Sequence, residues 1–194
     1  MALVVYTEPT QEPVTVDEVK THLRIDHAND DGLLRVFIKA AREALEIELG
    51  RTLCATTLQL KLDDFPTADP YKIELPKSPV QSVTSIKYYN GNGVLTTIDA
   101  ANYQADTDSE PARVMPVNGY YWPTVQADKL HAVIVEYDAG YSNLDAIPQG
   151  IKHALFLLLG HWYENRESTS PLTIKQVPFA LETLINQNRI ANVW

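Results

Sequence analysis

The densest set of chemistry-bearing side chains is His161-Trp162-Tyr163-Glu164-Asn165-Arg166-Glu167. An imidazole and a carboxylate three positions apart on a helix can face one metal ion together. A zinc-hydrolase helix also needs a second imidazole, in HExxH or HxxEH order, and the fifth position here is Asn165. His153 lies eight residues before His161 and near the same face, but no third ligand follows at the expected spacing. The cluster is therefore expected to be a packing junction, with Trp162 and Tyr163 against the fold and Glu164 and Arg166 in ion pairs or on the following loop.

Other combinations carry less. Cys54 has no protease context beside His22 or His131, and a lone thiol usually behaves as a small buried hydrophobe. Ser142 in AGYSNLD lacks the GxSxG elbow. Asp63-Asp64 and the pair Asp106 and Asp108 lack the DxDxDG calcium pattern and read as solvated loop acids. Gly91-Asn92-Gly93 reads as a hairpin turn, not a phosphate cradle. Tyr88, Tyr89, Tyr120, Tyr121 and Trp122 could stack on a sugar, but at strand ends such rings more often cover a β core or enter interfaces. No catalytic constellation emerges, and neither a cofactor nor a metal is expected.

Composition narrows the class further. The chain has 194 residues, 45% of them hydrophobic and 21% charged, which is the balance of a globular protein of one domain or one domain with a large insertion. Its net charge of -9 argues against a free-standing, nonspecific nucleic-acid binder, whose affinity comes from basic side chains on phosphates. One cysteine cannot form an intramolecular disulfide. The longest apolar run, ALFLLLG from Ala154, is too short to span a bilayer, and the start MALVVYTEP lacks the features of a secretory signal. A soluble acidic protein of a reducing compartment is expected.

The elements that must position these residues follow from periodicity. Thr15 and Glu18 have capping-box spacing, and Val16, Val19 and Leu23 then share a helical face. A second helix starts at Asn29 or Asp30, repeats apolar residues from Leu33 to Leu49, and stops at Gly50. Its other face, Arg35, Lys39, Arg42, Glu43 and Glu46, reads first as a solvated face with two favourable pairs four residues apart. From Thr56 the period falls to two. Strands are expected in TTLQLKLDDF, KIELP, SVTSIKYYN, VLTTI, NYQAD, ARVMP and KLHAVIVEYDAGY, with a hairpin across Asn90–Gly93. Helical spacing resumes at Pro148 with Ile151, Ala154, Leu155, Leu158, Leu159 and Trp162, and a short last helix begins near Pro178.

The expected class is α+β: a four-helix frame formed by the N- and C-terminal helices, with an inserted antiparallel β subdomain. The boundaries are 1–54 and 147–194 for the helical domain and 55–146 for the insertion. Short terminal helices cannot bury their faces alone, so they must pack together.

Five segments go further. VDEVKTHLRIDHANDDGLLRVFIKAAREALEIELGR resembles the opening of the head–tail connector (adaptor, or head-completion) proteins of long-tailed double-stranded DNA bacteriophages and prophages. LPKSPVQSVTSIKYYNGNG, RVMPVNGYYWP and VIVEYDAGY resemble the larger versions of that family, which carry the β insertion. IPQGIKHALFLLLGHWYENRES is similar to the same group, in which an HWYENRE-like run recurs. The likeness spans most of residues 14–170 with its segments in order, and LETLINQNRIANVW keeps only the general shape of the family's ending.

The resemblance implies a structural virion protein, not an enzyme. It would form a ring, usually of twelve, beneath the portal after DNA packaging, extend the channel and dock a stopper or tail-completion protein. Its place would be the neck of the virion, after synthesis and assembly in the host cytoplasm. DNA would pass without sequence-specific binding, and no membrane is involved. Twelve copies would carry a formal charge of about -108, which repels phosphates wherever acids line the channel. Under this reading Arg35, Lys39, Arg42, Glu43 and Glu46 are the expected subunit interface, because head-to-tail ring contacts need two different complementary patches. His161, Trp162, Tyr163, Glu164, Asn165 and Arg166 form the structural signature, expected as scaffold before contact. Asn188, Arg189, Ile190, Val193 and Trp194 are the expected portal-binding arm. The rival readings are another neck or tail component, such as a stopper or tail terminator, and a carbohydrate-binding β module built on the Tyr/Trp cluster.

Overall fold

The structure, a computed structural model, describes residues 1–68, 71–165 and 179–190. The chain divides into two compact units, one of residues 1–10 and 54–142, the other of residues 11–53 and 143–194. The boundaries expected at 54/55 and 146/147 thus fall at 53/54 and 142/143, and the first ten residues join the β unit instead of the helical one.

In the helical unit, α1 (Val16–Leu23) starts with the reciprocal capping box: the Thr15 hydroxyl accepts from the Glu18 N–H at 3.2 Å, and the Glu18 carboxylate accepts from the Thr15 N–H. These bonds satisfy two helix-end donors that have no intrahelical partner. Helix α2 (Asp31–Leu49) buries Leu34, Ile38, Ala41, Leu45 and Leu49 on its apolar face and stops where Gly50 takes the left-handed conformation. Asp30 stands at the cap position without a side-chain capping bond, and its carboxylate instead accepts from the Tyr163 hydroxyl. Helix α3 (Gln149–Glu164) begins directly after Pro148 and buries Ile151, Ala154, Leu155 and Leu159. Helix α4 (Phe179–Asn188) packs on both α2 and α3, and α1 packs on the same two helices. All four apolar faces therefore share one interior.

The β unit contains two antiparallel sheets. The larger has strand order β1 (Ala2–Thr7), β2 (Thr56–Leu62), β8 (Val133–Ala139), β4 (Val80–Tyr89), β5 (Leu95–Thr97). The smaller has the order β3 (Ile73–Leu75), β7 (Ala112–Pro116), β6 (Tyr103–Asp106). The last strand in sequence, β8, is central, which is why it reads as the most β-branched run. One face of β2 and β8 supplies Leu58, Leu60, Val133, Val135 and Tyr137 to a core completed by Phe65, Ile86 and residues of the small sheet. The opposite face pairs polar groups across strands, Thr57 donating to Asp138 at 2.8 Å and Gln59 to Glu136 at 2.9 Å. Gly140 has φ +97°, and a Cβ there would lie 2.2 Å from the Cys54 carbonyl oxygen, so glycine is required where β8 leaves the sheet.

All seven strand segments read from the sequence are present. The hairpin at Asn90 is closed by that residue's own side chain, which accepts from the N–H groups of Asn92 and Val94. Strand β1 (Ala2–Thr7) adds an eighth strand that the alternating segments do not announce.

Candidate functional site

The charged face of α2 does not act as one surface. Arg42 is 3% exposed, although it reads as a solvated residue in sequence. Its Nε donates to Glu12 at 2.8 Å and its Nη1 to Glu46 at 3.0 Å, with Glu43 3.7 Å from Nη2. Glu46 also accepts from the Leu53 N–H at 2.8 Å, so one carboxylate ties the guanidinium to the chain leaving the helix. The reason is reach: the segment before α1 brings Glu12 over Arg42, and a planar guanidinium can hold several carboxylates at once. Arg42 and Glu46 thus have structural work inside the unit, while Arg35, Lys39 and Glu43 remain exposed, Lys39 lying 3.9 Å from Glu43. Val36 and Ile47, 64% and 72% exposed, flank Glu43 on the same stripe.

The HWYEN segment ties the end of α3 to α2. The Tyr163 hydroxyl donates to Asp30 Oδ2 at 2.6 Å, and Trp162 meets Phe37 edge to face with centroids 6.1 Å apart. Asn165 closes the helix, its N–H and its side-chain amide both donating to the His161 carbonyl. Glu164 is exposed, and Arg166 lies outside the described residues. Leu45, Leu158, Trp162, Leu181, Ile185 and Arg189 line a mostly apolar groove of about 410 Å³ among α2, α3 and α4.

The C-terminal residues expected as an arm begin inside the fold. The Asn188 carbonyl accepts from Arg51 Nε at 2.7 Å, the Asn188 amide donates to the Leu184 carbonyl, and the Ile190 N–H donates to the Leu49 carbonyl at 2.9 Å. Asn188 and Ile190 are therefore bound to the end of α2, and Arg189 lines the groove. Val193 and Trp194 lie outside the described residues.

The aromatic cluster of the β unit is occupied by the fold. Trp122 stacks on Phe65 with centroids 5.0 Å apart and planes 7° apart, and its indole N–H donates to the Tyr71 carbonyl. Tyr88 meets Phe65 edge on, Lys129 Nζ sits 4.0 Å over the Tyr89 ring, and Tyr120 packs against the core. Tyr121, 73% exposed, is the member that projects outward. Sugar platforms need free ring faces, and here Phe65 covers a Trp122 face.

The loop acids are staples. Asp106 accepts from the Ser109 hydroxyl and N–H and from Arg113, and these bonds, the Ser109 hydroxyl first, hold its pKa below the usual aspartate range. Asp63 is held low chiefly by the His131 N–H, with the terminal amine 3.7 Å away. Cys54 is buried. Among the described residues no group of three or more His, Cys, Asp or Glu is placed to hold a metal ion, and no helix is long and apolar enough to cross a membrane.

Sequence reasoning missed one feature with consequences at the surface. Strand β1 places Val4, Val5 and Tyr6 at an open sheet edge, 42%, 50% and 62% exposed. Its signal was the β-branched and aromatic run Leu3-Val4-Val5-Tyr6.

The two internally braced units are of mixed α+β fold, with helices in one and antiparallel sheets in the other. The chain belongs to the phage gp6-like head–tail connector protein family, whose pattern matches residues 13–114. That family sets it at the head–tail junction, as a structural protein of the virion neck. Over its full length it is similar to a chain in the virion of the native gene transfer agent (GTA) particle, at 25% identity and a TM-score of 0.82. Two further relatives are chains in the neck of the empty GTA particle computed with C6 symmetry (26%, 0.80) and in the neck of the native GTA particle computed with C12 symmetry (25%, 0.79). Each likeness covers 100% of this chain and 98% of the other. No curated protein matches it.

Proposed function

We propose that twelve copies of this chain form a ring between portal and tail, extend the DNA channel, and present a docking surface to a stopper or tail-completion protein. The observation that carries this reading is the full-length likeness to a chain in a neck computed with C12 symmetry. The role is mechanical, without a catalytic step. A ring with an acidic total charge lets DNA pass by repelling phosphate wherever its acids face the channel.

Within that ring, Arg35, Lys39 and Glu43 with Val36 and Ile47 are the exposed part of α2 that meets another subunit, whereas Arg42 is buried over Glu12 and Glu46 of its own chain. The HWYEN segment is scaffold: its aromatic side chains hold α3 to α2. The portal-binding arm narrows to residues 191–194, because Asn188 and Ile190 brace the helical unit.

The test is co-sedimentation of the purified chain with the portal ring of the same genome, read by stoichiometry and negative-stain images. One copy per portal subunit in an extra layer supports the adaptor role. A folded chain that leaves an intact portal bare moves the assignment toward stopper or tail. Truncation after Ile190 should abolish attachment and leave the helical unit folded. Removing residues from 186 onward would also strip the bonds to Arg51 and Leu49.

A further inference from the structure

Ten large hydrophobic residues are exposed among the described residues, and six of them sit at the two ends of a single sheet. Val4, Val5 and Tyr6 lie in β1 with Met1 just before it, and Leu95 opens β5 with Val94 just before it; these are the first and last strands of the five-stranded sheet. We infer that β1 of one copy lies beside β5 of the next, so that the sheet continues from subunit to subunit around the ring. This rests on the proposed ring and adds a second surface, beside the exposed face of α2, that joins its members.

Sheet edges in soluble proteins are normally guarded by charge or proline, because their free N–H and C=O groups are templates for another strand. The small sheet follows that rule: its outer strands β3 and β6 carry Glu74 and Asp106. The large sheet breaks it at both ends. Ala2–Thr7 and Leu95–Thr97 contain no charged residue and no proline. A bulge between Val5 and Thr7 bends the end of β1 but leaves Ala2–Val5 in regular register with β2.

Direction and facing agree with a head-to-tail joint. Every neighbouring pair from β1 through β2, β8 and β4 to β5 is antiparallel, so four reversals leave β1 and β5 pointing the same way. A twofold contact of β1 with another β1 would place like against like and stop at a dimer. Joining β1 to β5 pairs two different surfaces, and such heterologous contacts propagate until a ring closes. Val5 lies opposite Leu58 and so shares the core face, as does Thr96 opposite Tyr88. Val4 and Leu95, opposite Gln59 and Tyr89, share the other face. Val4 and Leu95 thus meet on one side of the sheet, and Val5 and Thr96 on the other. The small length of β5 limits each joint, which suits copies that assemble on a template.

The test is cross-linking of full-length Val5→Cys/Thr96→Cys protein assembled on its portal, using a short bis-maleimide. Native Cys54 is 1% exposed and stays silent, as the unsubstituted chain will verify. Rings are first counted by negative stain, and circular dichroism confirms that each variant is folded. The expected result is a denaturant-resistant ladder beyond dimer, ending at the ring, with the double variant. Each single variant should give at least tenfold less product. Decorated portals without a ladder overturn the joint and leave the neck role standing. Dimers from Val5→Cys alone overturn it in favour of a twofold contact. Portals left bare by the unsubstituted chain overturn the ring and the joint together.

Discussion

The helical unit closes on itself with polar bonds between distant parts of the chain, whereas the β unit closes its core and leaves its edges open. In the first, Tyr163 reaches Asp30, Arg51 reaches Asn188, and Arg42 gathers Glu12 and Glu46. In the second, side-chain pairs such as Thr57 with Asp138 lie along existing ladders, and the apolar residues at β1 and β5 are left to solvent. The contrast teaches where a connector keeps its rigidity and where it has surface to offer. Buried polar bonds are strong only when complete, so the helical unit is intolerant of single losses. Sheet edges lose little by staying open until a partner arrives.

The contrast can be broken most severely at Gly140. Gly140→Ala should cost more than about 4 kcal/mol, because the new Cβ meets the Cys54 backbone at a left-handed φ. Hydrogen exchange should show the loss across β2 and β8. Arg42→Ala comes next, at about 3 kcal/mol, the low end for a buried pair, since it removes a buried cation from Glu12 and Glu46 while Glu12 stays part exposed. Urea titration followed by far-ultraviolet circular dichroism measures it, and exchange should place the damage in α1–α3. A small effect there would mean that the helical unit does not depend on its polar centre.

Tyr163→Phe keeps the ring and removes the hydroxyl that donates to Asp30, at about 1–3 kcal/mol. Glu18→Ala opens the capping box and should cost about 1 kcal/mol, because the site is exposed. The same carboxylate gives a pH test. The Thr15 N–H, its largest influence, lowers the Glu18 pKa on folding. Its contribution is therefore complete above the usual glutamate pKa and disappears as pH falls through the lower folded value. Asp63 and Asp106, also lowered, act with the same sign in the β unit. Stability measured from neutral pH down into the acid range should fall, and Glu18→Gln should flatten part of the helical unit's slope.

Most elements were legible because their signals are local. The spacing of Thr15 and Glu18, the stop at Gly50, the alternation in Thr56–Leu62 and the turn at Asn90 each act within a few residues. The candidate surfaces were less legible. Arg42 belongs by helical spacing to a charged stripe, and nothing in that spacing announces that Glu12 will cover it. Asn188 and Ile190 look like a tail until Arg51 and Leu49 are brought beside them. Strand β1 carried a β-branched run, but its partner β2 begins some fifty residues later.

The sequence by itself determined the α+β class, the strands of the insertion, the absence of a recognisable catalytic spacing, and the resemblance to connectors, because periodicity and motif wording survive without coordinates. Only the tertiary structure decided which charges are buried, that β8 is central, and which two strands are left as edges. Those properties depend on which distant segments meet, and a pattern confined to neighbouring residues carries no record of that meeting.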